Sequence, residues 1–327
     1  MSTYKKEIGT AVQNNAGDYT GAVEGQLWYN STDASFQFRL ISTAGAWSTG
    51  GSLNTARINL AGSGTQTAGL AFGGSPPDTG VTESYDGTSW TELNDLNTAR
   101  GYLAGAGTQT SAIAIGGYIA PPGVGPAETW NGTSWTAVAN LNTGRFRLGG
   151  AGADNTSALA ISGELTIPGT FLTNVESWNG SAWTEVNDVN TAVQDPGANG
   201  TVPSALKCGG QTPGQTRVAI TESWNGTSWT EVNDLNTARS GLVSTGVDNT
   251  SALAFGGNTP TVTGVTELYN GTSWSEQNDL STARNNLAGA GTTTAGLAFG
   301  GSTPPATTAT EEWLGAGASV TETITTS

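Results

Sequence analysis

The chain has 327 residues, a single cysteine, no histidine and a formal net charge of −15. One cysteine cannot form an internal disulfide, and the lack of histidine removes Ser-His-Asp catalysis and the usual zinc and copper sites. The excess of acids argues against a nucleic-acid partner, because neutralising phosphates requires clustered Lys and Arg.

The first 50 residues differ in character from the rest of the chain. They begin MSTYKKEIGT, without an apolar signal core, and no apolar run of 18 residues occurs anywhere. We therefore predict neither membrane insertion nor conventional export. Apolar positions alternate over residues 25–39, which predicts a strand, a turn and a second strand.

From residue 51 the chain repeats itself. Diglycines begin at Gly73, Gly116, Gly209, Gly256 and Gly300, and Ser162-Gly163 fills the missing place. A tryptophan recurs independently at Trp47, Trp90, Trp135, Trp183, Trp229 and Trp274. Both series step by 43 to 48 residues. A period in this range is typical of solenoids and propellers.

Each repeat has the local chemistry of β structure. Asn-Gly or Asp-Gly stands before the tryptophan, which predicts a two-residue hairpin turn between the last two strands. A short apolar run such as 251–255 ends at each diglycine, as expected for a strand buried on both faces. No stretch has a helical period. Four short strands per unit of about 45 residues predict a β-propeller.

The best-preserved unit resembles the Kelch motif through Arg239, Gly256-Gly257, Glu267, Tyr269, Trp274 and the following Arg284. The resemblance covers residues 51–313. It implies an all-β, Kelch-like propeller whose blades each contain four antiparallel strands.

The number of repeats predicts six blades. We expect the ring to close by pairing of Ala46-Trp47 with the strand around residues 310–313, because closure removes exposed sheet edges. Seven blades is the alternative, with residues 20–47 and 311–327 forming a composite blade. The predicted domains are an N-terminal hairpin segment at 1–50, the propeller at 51–313, and a C-terminal tail or closing strand at 314–327.

The repeated charged residues are predicted to be structural. Glutamates share one repeat position at Glu83, Glu176, Glu222 and Glu267, and another at Glu92, Glu185, Glu231 and Glu276. Catalysis normally needs one asymmetric cluster, so we predict no catalytic residue, no metal site, no cofactor and no enzymatic activity. Asp154-Asn155-Thr156 is predicted to form an Asx turn rather than a Ca²⁺ site.

Arginines recur before the first strand of five repeats, at Arg57, Arg100, Arg145, Arg239 and Arg284. They could form a ring of guanidinium groups that binds an anion near the central channel. We favour the alternative, in which each arginine pairs with an acid of its own or the neighbouring repeat and fixes the blades.

Variation is concentrated in the connections at one face of the disc. The connection after the diglycine spans only 75–80 in the first repeat but lengthens at 118–126 and 164–174, and residues 193–203 are irregular. Loops that vary on a rigid scaffold are the natural place for binding. The predicted contact residues are Tyr118, Ile119, Ile167, Phe171, Leu172 and Gln194. Decay of an unused repeat is the competing explanation.

The N-terminal strand pair resembles short hairpins in tail-fibre and other virion proteins of tailed bacteriophages. The resemblance implies an anchor to other virion proteins, for which we select Leu27, Trp28, Tyr29, Phe36 and Phe38. A hairpin that completes the propeller is the structural alternative.

The leading interpretation is a non-enzymatic structural or receptor-binding protein of a phage particle. It would be present in multiple copies in the virion and would contact a glycan or protein of the host surface. A cellular Kelch-type scaffold or glycan-binding lectin or adhesin is the second interpretation, and a glycan-degrading propeller enzyme is the third.

Overall fold

The computed structural model describes residues 13–16, 26–41, 45–119, 123–165, 169–315 and 319–324. Every regular element in these ranges is a strand. The chain divides into two compact units, Met1–Gly45 with Gly315–Ser327, and Ala46–Leu314.

In chain order the strands are β1 (Gln13–Asn15), β2 (Leu27–Asn30), β3 (Ser35–Ile41), β4 (Ala46–Thr49), β5 (Ala61–Thr65), β6 (Ala68–Phe72), β7 (Thr82–Tyr85), β8 (Trp90–Glu92), β9 (Ala104–Gly107), β10 (Ala112–Ile115), β11 (Tyr118–Ile119), β12 (Gly123–Val124), β13 (Ala127–Trp130), β14 (Trp135–Val138), β15 (Gly149–Asp154), β16 (Ser157–Ile161), β17 (Val175–Trp178), β18 (Trp183–Val186), β19 (Gly197–Thr201), β20 (Ser204–Cys208), β21 (Gln211–Thr212), β22 (Thr216–Arg217), β23 (Thr221–Trp224), β24 (Trp229–Val232), β25 (Val243–Asp248), β26 (Ser251–Phe255), β27 (Thr266–Tyr269), β28 (Trp274–Glu276), β29 (Ala288–Gly291), β30 (Ala295–Phe299), β31 (Thr310–Leu314) and β32 (Ser319–Ile324).

The first unit is a four-stranded sheet in the order β1-β2-β3-β32. Strands β2 and β3 form the predicted hairpin, with Tyr29 opposite Phe36. The C-terminal strand β32 pairs antiparallel with β3. The segment predicted as a tail or closing strand therefore adds a strand to this sheet.

The second unit is a β-propeller of six four-stranded blades. Blades 1 to 6 are the sheets β5–β8, β9-β10-β13-β14, β15–β18, β19-β20-β23-β24, β25–β28 and β29-β30-β31-β4. In blade 6 the N-terminal strand β4 pairs antiparallel with β31, which places Trp47 opposite Trp313. This confirms the predicted closure. The boundary consequently falls before Ala46, and not after residue 50.

Tryptophans of the fourth strands join neighbouring blades. The Phe72 ring, just before the first diglycine, lies 4.9 Å from the Trp135 ring of the next blade. In four blades the tryptophan Nε1 donates to a threonine hydroxyl that begins the third strand of the preceding blade; the pairs are Trp47–Thr266, Trp90–Thr310, Trp135–Thr82 and Trp274–Thr221. The second strands between these contacts are buried on both faces, as predicted.

The hairpin turns before these tryptophans differ in detail from the prediction. The pair Trp130–Trp135 ends the ladder, so the loop has four residues and its central pair is Gly132-Thr133. Asn131 is the first residue of this loop, and its Oδ1 accepts from the backbone N–H groups of Thr133 and Ser134, both at 2.9 Å. Gly132 alone has a positive φ, of 90°. The predicted two-residue turn is wrong because the Asn side chain, not its backbone, supplies the turn.

Candidate functional site at the channel mouth

The five repeat arginines are buried and each pairs with the third-strand glutamate of its own blade. Nitrogen–oxygen distances run from 2.5 to 3.2 Å in the pairs Arg57–Glu83, Arg100–Glu128, Arg145–Glu176, Arg239–Glu267 and Arg284–Glu311. Burial lowers the pKa of each arginine, and its glutamate opposes that shift. The guanidinium groups are thus committed to these glutamates and do not form an anion site in the channel.

The same glutamates also hold the connection between blades. Glu83 Oε2 accepts hydrogen bonds from the backbone N–H of Asn54, at 2.7 Å, and from its Nδ2, at 2.8 Å. Equivalent bonds to the backbone recur at Glu128, Glu176, Glu222, Glu267 and Glu311. The second series of glutamates, on the fourth strands, is exposed.

Blade 4 keeps this ion pair with different residues. Val193 stands where the other blades have arginine, and Lys207 stands in the second strand where they have alanine. The Lys207 Nζ lies 2.6 Å from Glu222 Oε1, and both side chains are fully buried. The nearby Ser162 hydroxyl donates to the Val193 carbonyl at 2.8 Å. The irregular repeat therefore retains its buried charge balance.

A closed ring of six backbone hydrogen bonds surrounds one mouth of the central channel. It joins one residue from each blade, and we call these six residues the rim: Asn59, Tyr102, Arg147, Asp195, Gly241 and Asn286. Each rim N–H donates to the carbonyl of the preceding rim residue, at 2.8 to 3.0 Å, and the first donates to the last. The ring fixes all six backbones relative to one another.

All six rim residues have a left-handed backbone, with φ between 50° and 62°. This conformation is unusual for side chains as large as those of Tyr102 and Arg147, and it costs of order 1 kcal/mol or more per residue. Gly241 has a further reason to be glycine, because a Cβ there would lie 2.4 Å from Asn286 Oδ1. Strained residues of this kind cluster at functional sites.

The large rim side chains form one asymmetric cluster. The Arg147 guanidinium lies 4.7 Å from the centre of the Tyr102 ring. Its Nη1 donates to Gln194 Oε1 at 3.1 Å and lies 3.5 Å from an Asp195 carboxylate oxygen. The Arg147 and Asp195 side chains remain 24% and 20% exposed. Burial raises the pKa of Asp195 to about 6; Arg147 opposes the shift and Glu164 adds to it.

The residues that follow the rim form an apolar ring. We call it the floor; it consists of Leu60, Leu103, Leu148, Pro196, Leu242 and Leu287. Rim and floor together line a partly open cavity of about 80 Å³. Beyond the floor, the channel is lined by the first strands and has a volume of about 210 Å³. The mouth is therefore a small cavity with polar walls and an apolar base.

The predicted contact loops begin beside the rim. Residues next to the rim make isolated bridges to the first residues of two of these loops, between Gly101 and Tyr118 and between Phe146 and Glu164. The Tyr118 ring lies 5.7 Å from that of Phe146, the residue before Arg147. We call this side of the disc, with the rim and these loops, the loop face.

The predicted contact residues do not all lie in one place. Tyr118 borders the rim cluster, and Ile119, in the next position of β11, is half-buried. Gln194 is buried and hydrogen-bonded to Arg147 and Gln211, so it holds a rim side chain in place rather than offering a contact surface. Half-buried Phe171 bridges to Glu164, and the N–H of neighbouring Leu172 donates to the Gly163 carbonyl. Ile167 lies outside the described residues.

The sequence interpretation missed the rim itself. Its residues occupy the position two after each repeat arginine, or two after Val193 in blade 4. That position carries Asn, Tyr, Arg, Asp, Gly and Asn, and a combination of Asn, Asp and Gly is a signal for left-handed backbone. Superposing the repeats on their arginines reveals this signal, although Tyr102 and Arg147 obscure it.

In the first unit, the predicted anchoring residues occupy both faces of the sheet. Leu27 and Phe36 are exposed, at 39% and 46%, and the Phe36 ring lies 5.2 Å from that of Tyr29. Trp28 points to the opposite face and is buried. The side chain of Phe38 lies outside the described residues.

Other kinds of site are not found in the part of the chain that the structure describes. No group of three His, Cys, Asp or Glu residues there is placed to hold a metal ion. The same residues include no helix that is long and apolar enough to cross a membrane. Cys208 is buried, which raises the pKa of its thiol to about 12.

Comparison with protein-family models and with curated proteins finds no match. Among solved structures, the one described as "Structure of YjhT" is similar, with a TM-score of 0.67 and 13% sequence identity. The similarity covers 80% of this chain and 96% of that one. At this identity the likeness shows the fold alone, and the second unit is accordingly a β-propeller.

Proposed function

We propose that the protein is a non-enzymatic binding protein of a tailed-bacteriophage particle, built on a Kelch-type repeat. In this proposal the loop face of the propeller binds a glycan or protein of the host surface, and the first unit attaches the chain to other virion proteins.

The rim supports the binding role. Residues that recur from blade to blade are used in ion pairs, turns and contacts between blades. The rim instead presents five different residue types on one repeated backbone conformation, and its largest side chains are clustered in adjacent blades. Varied side chains on a rigid scaffold are what binding requires.

The carboxylates support a role without catalysis. The third-strand glutamates are held in buried ion pairs, which leaves them unsuited to proton transfer. Beside the rim, Glu164 bridges to Phe146 and accepts the N–H of Gly169 at 2.6 Å. Within the rim, Asp195 lies beside Arg147. A glycosidase would need two carboxyl groups facing one bond. Release of reducing sugar from host glycans, abolished by Glu164→Gln or Asp195→Asn, would contradict this part of the proposal.

The exposed apolar face of the first unit supports the attachment role. Leu27 and Phe36 lie on the same side of the hairpin, with Tyr29 between them. Exposed clusters of this kind typically mark contact sites. We expect the double substitution Leu27→Ser/Phe36→Ser to lower the amount of protein in assembled particles. Val247→Ser, at an exposed apolar residue of the propeller, is the matched control and should leave incorporation unchanged.

Mass spectrometry of purified particles from the source culture tests the virion assignment. The proposal predicts that peptides of this chain co-purify with the major structural proteins in multiple copies per particle. Their absence from infectious particles would refute it.

A further inference from the structure

The mouth cavity is matched to a small chemical group. Each blade contributes one rim residue to its wall and one floor residue to its base. Its volume of about 80 Å³ is small beside the roughly 300–1,000 Å³ of a pocket that takes a whole drug-sized ligand. A single substituent of a larger ligand would fill it, while the rest of the ligand would lie on the rim.

The wall favours a neutral ligand. Arg147 is compensated by Asp195 and further confined by Tyr102 and Gln194. The local charges therefore offer no net attraction to an anion, and the chain as a whole repels one.

Hydrogen-bonding capacity is nevertheless present around the opening. The Asn59 Nδ2 donates to Ser75 Oγ at 3.0 Å, which fixes the amide and leaves its Oδ1 available as an acceptor. The planar groups of Asn286, Arg147 and Asp195 add donors and acceptors. Such a set suits the hydroxyl and amide groups of a sugar.

We propose that the channel mouth binds a neutral N-acetylated hexosamine, with the acetamido methyl against the floor and the ring hydroxyls on the rim. This inference rests on the proposed function, in which the loop face binds a surface ligand. A sugar with hydroxyl groups alone would bury one of them against leucine without a partner, which is unfavourable. Burial of one methyl group instead favours binding by roughly fourfold.

Saturation-transfer NMR on the full chain tests the inference directly. The probes are N-acetylglucosamine and N-acetylgalactosamine, each compared with its parent sugar, glucose or galactose. We expect the strongest transfer at the acetyl methyl protons and at least roughly fourfold weaker transfer to the parent sugars. Equal transfer to the parent sugars, or no transfer to either N-acetyl sugar, would overturn the inference.

Two variants locate the site. Arg147→Asn removes the guanidinium while retaining a residue that tolerates left-handed backbone, and it should abolish the methyl signal. Asn131→Asp is the control, because it changes a polar turn residue on the opposite face to the residue that Asp86 already provides in blade 1. A methyl signal that survives Arg147→Asn in a folded protein would place the sugar elsewhere and refute the inference.

The inference and the proposed function can fail separately. If N-acetyl sugars do not bind but the protein still adsorbs to host envelopes in an Arg147-dependent manner, the ligand class is wrong and the binding role stands. If adsorption is also unaffected by Arg147→Asn, the binding role of the mouth is wrong as well.

Discussion

The relocated ion pair of blade 4 gives a quantitative prediction. Lys207→Ala would leave Glu222 fully buried without its cation, whose Nζ lies 2.6 Å from the carboxylate. Removal of one partner of a buried pair costs about 3–5 kcal/mol. A stability change of 1 kcal/mol moves the melting temperature by about 2–4 °C in a domain near this size. We therefore expect a decrease of about 10 °C in thermal unfolding followed by circular dichroism.

The arginine of the other five blades suggests a second substitution that should restore the lost stability. Adding Val193→Arg to Lys207→Ala rebuilds the arginine–glutamate pair that they contain, and should recover more than half of the lost melting temperature. Val193→Arg alone places a second cation beside Lys207 in a buried site, and should itself be destabilising. The four proteins form a double-mutant cycle with an expected coupling of about 2 kcal/mol or more, within the range for residues in one network. If Lys207→Ala lowered the melting temperature equally in the wild type and in the Val193→Arg variant, the proposed compensation would be refuted.

Three further predictions concern single side chains. Trp229 Nε1 is buried without a hydrogen-bond partner, because Val175 stands where four other blades have threonine. Val175→Thr should therefore raise the free energy of unfolding by about 1 kcal/mol, measured by thermal unfolding. Ala127→Thr is the control and should give a smaller gain, because the neighbouring Trp183 indole already donates to the Ala139 carbonyl. Asp195 has its pKa raised to about 6, so its stabilising contribution is present below about pH 4 and is lost as the pH rises through 6. The melting temperature of the wild type, relative to that of Asp195→Asn, should therefore fall between pH 4 and 7. Melting temperatures of the two proteins that change in parallel with pH would contradict this. The Cys208 thiol should be unreactive toward an alkylating reagent at pH 8 in the native protein and fully reactive in denaturant. Mass spectrometry measures the modification, and rapid alkylation of the native protein would contradict the prediction.

The architecture was predictable because the repeat encodes it redundantly. Diglycines and tryptophans gave the same period, and the closing pair of Trp47 and Trp313 followed from the incomplete last repeat. The repeat arginines could be assigned to ion pairs in outline, since acids recur at fixed positions. Their exact partners, within the same blade, depend on strand register and emerged only from the structure.

The candidate site was harder to predict, because it depends on relations between blades. The left-handed backbone of Tyr102 and Arg147 is imposed by hydrogen bonds to the preceding and following blades, and local propensity gives no sign of it. The exchange between Val193 and Lys207 involves positions 14 residues apart, one in the connection before β19 and the other in β20. Without the register, it looked like loss of a repeat.

Adsorption of the labelled protein to envelopes of the host cells tests the central claim, that the channel mouth of the propeller is a binding site. Wild type, Arg147→Asn and the opposite-face control Asn131→Asp would be compared at equal fractions of folded protein. The account predicts saturable adsorption that Arg147→Asn lowers at least tenfold and Asn131→Asp leaves unchanged. Equal adsorption of all three proteins would contradict it.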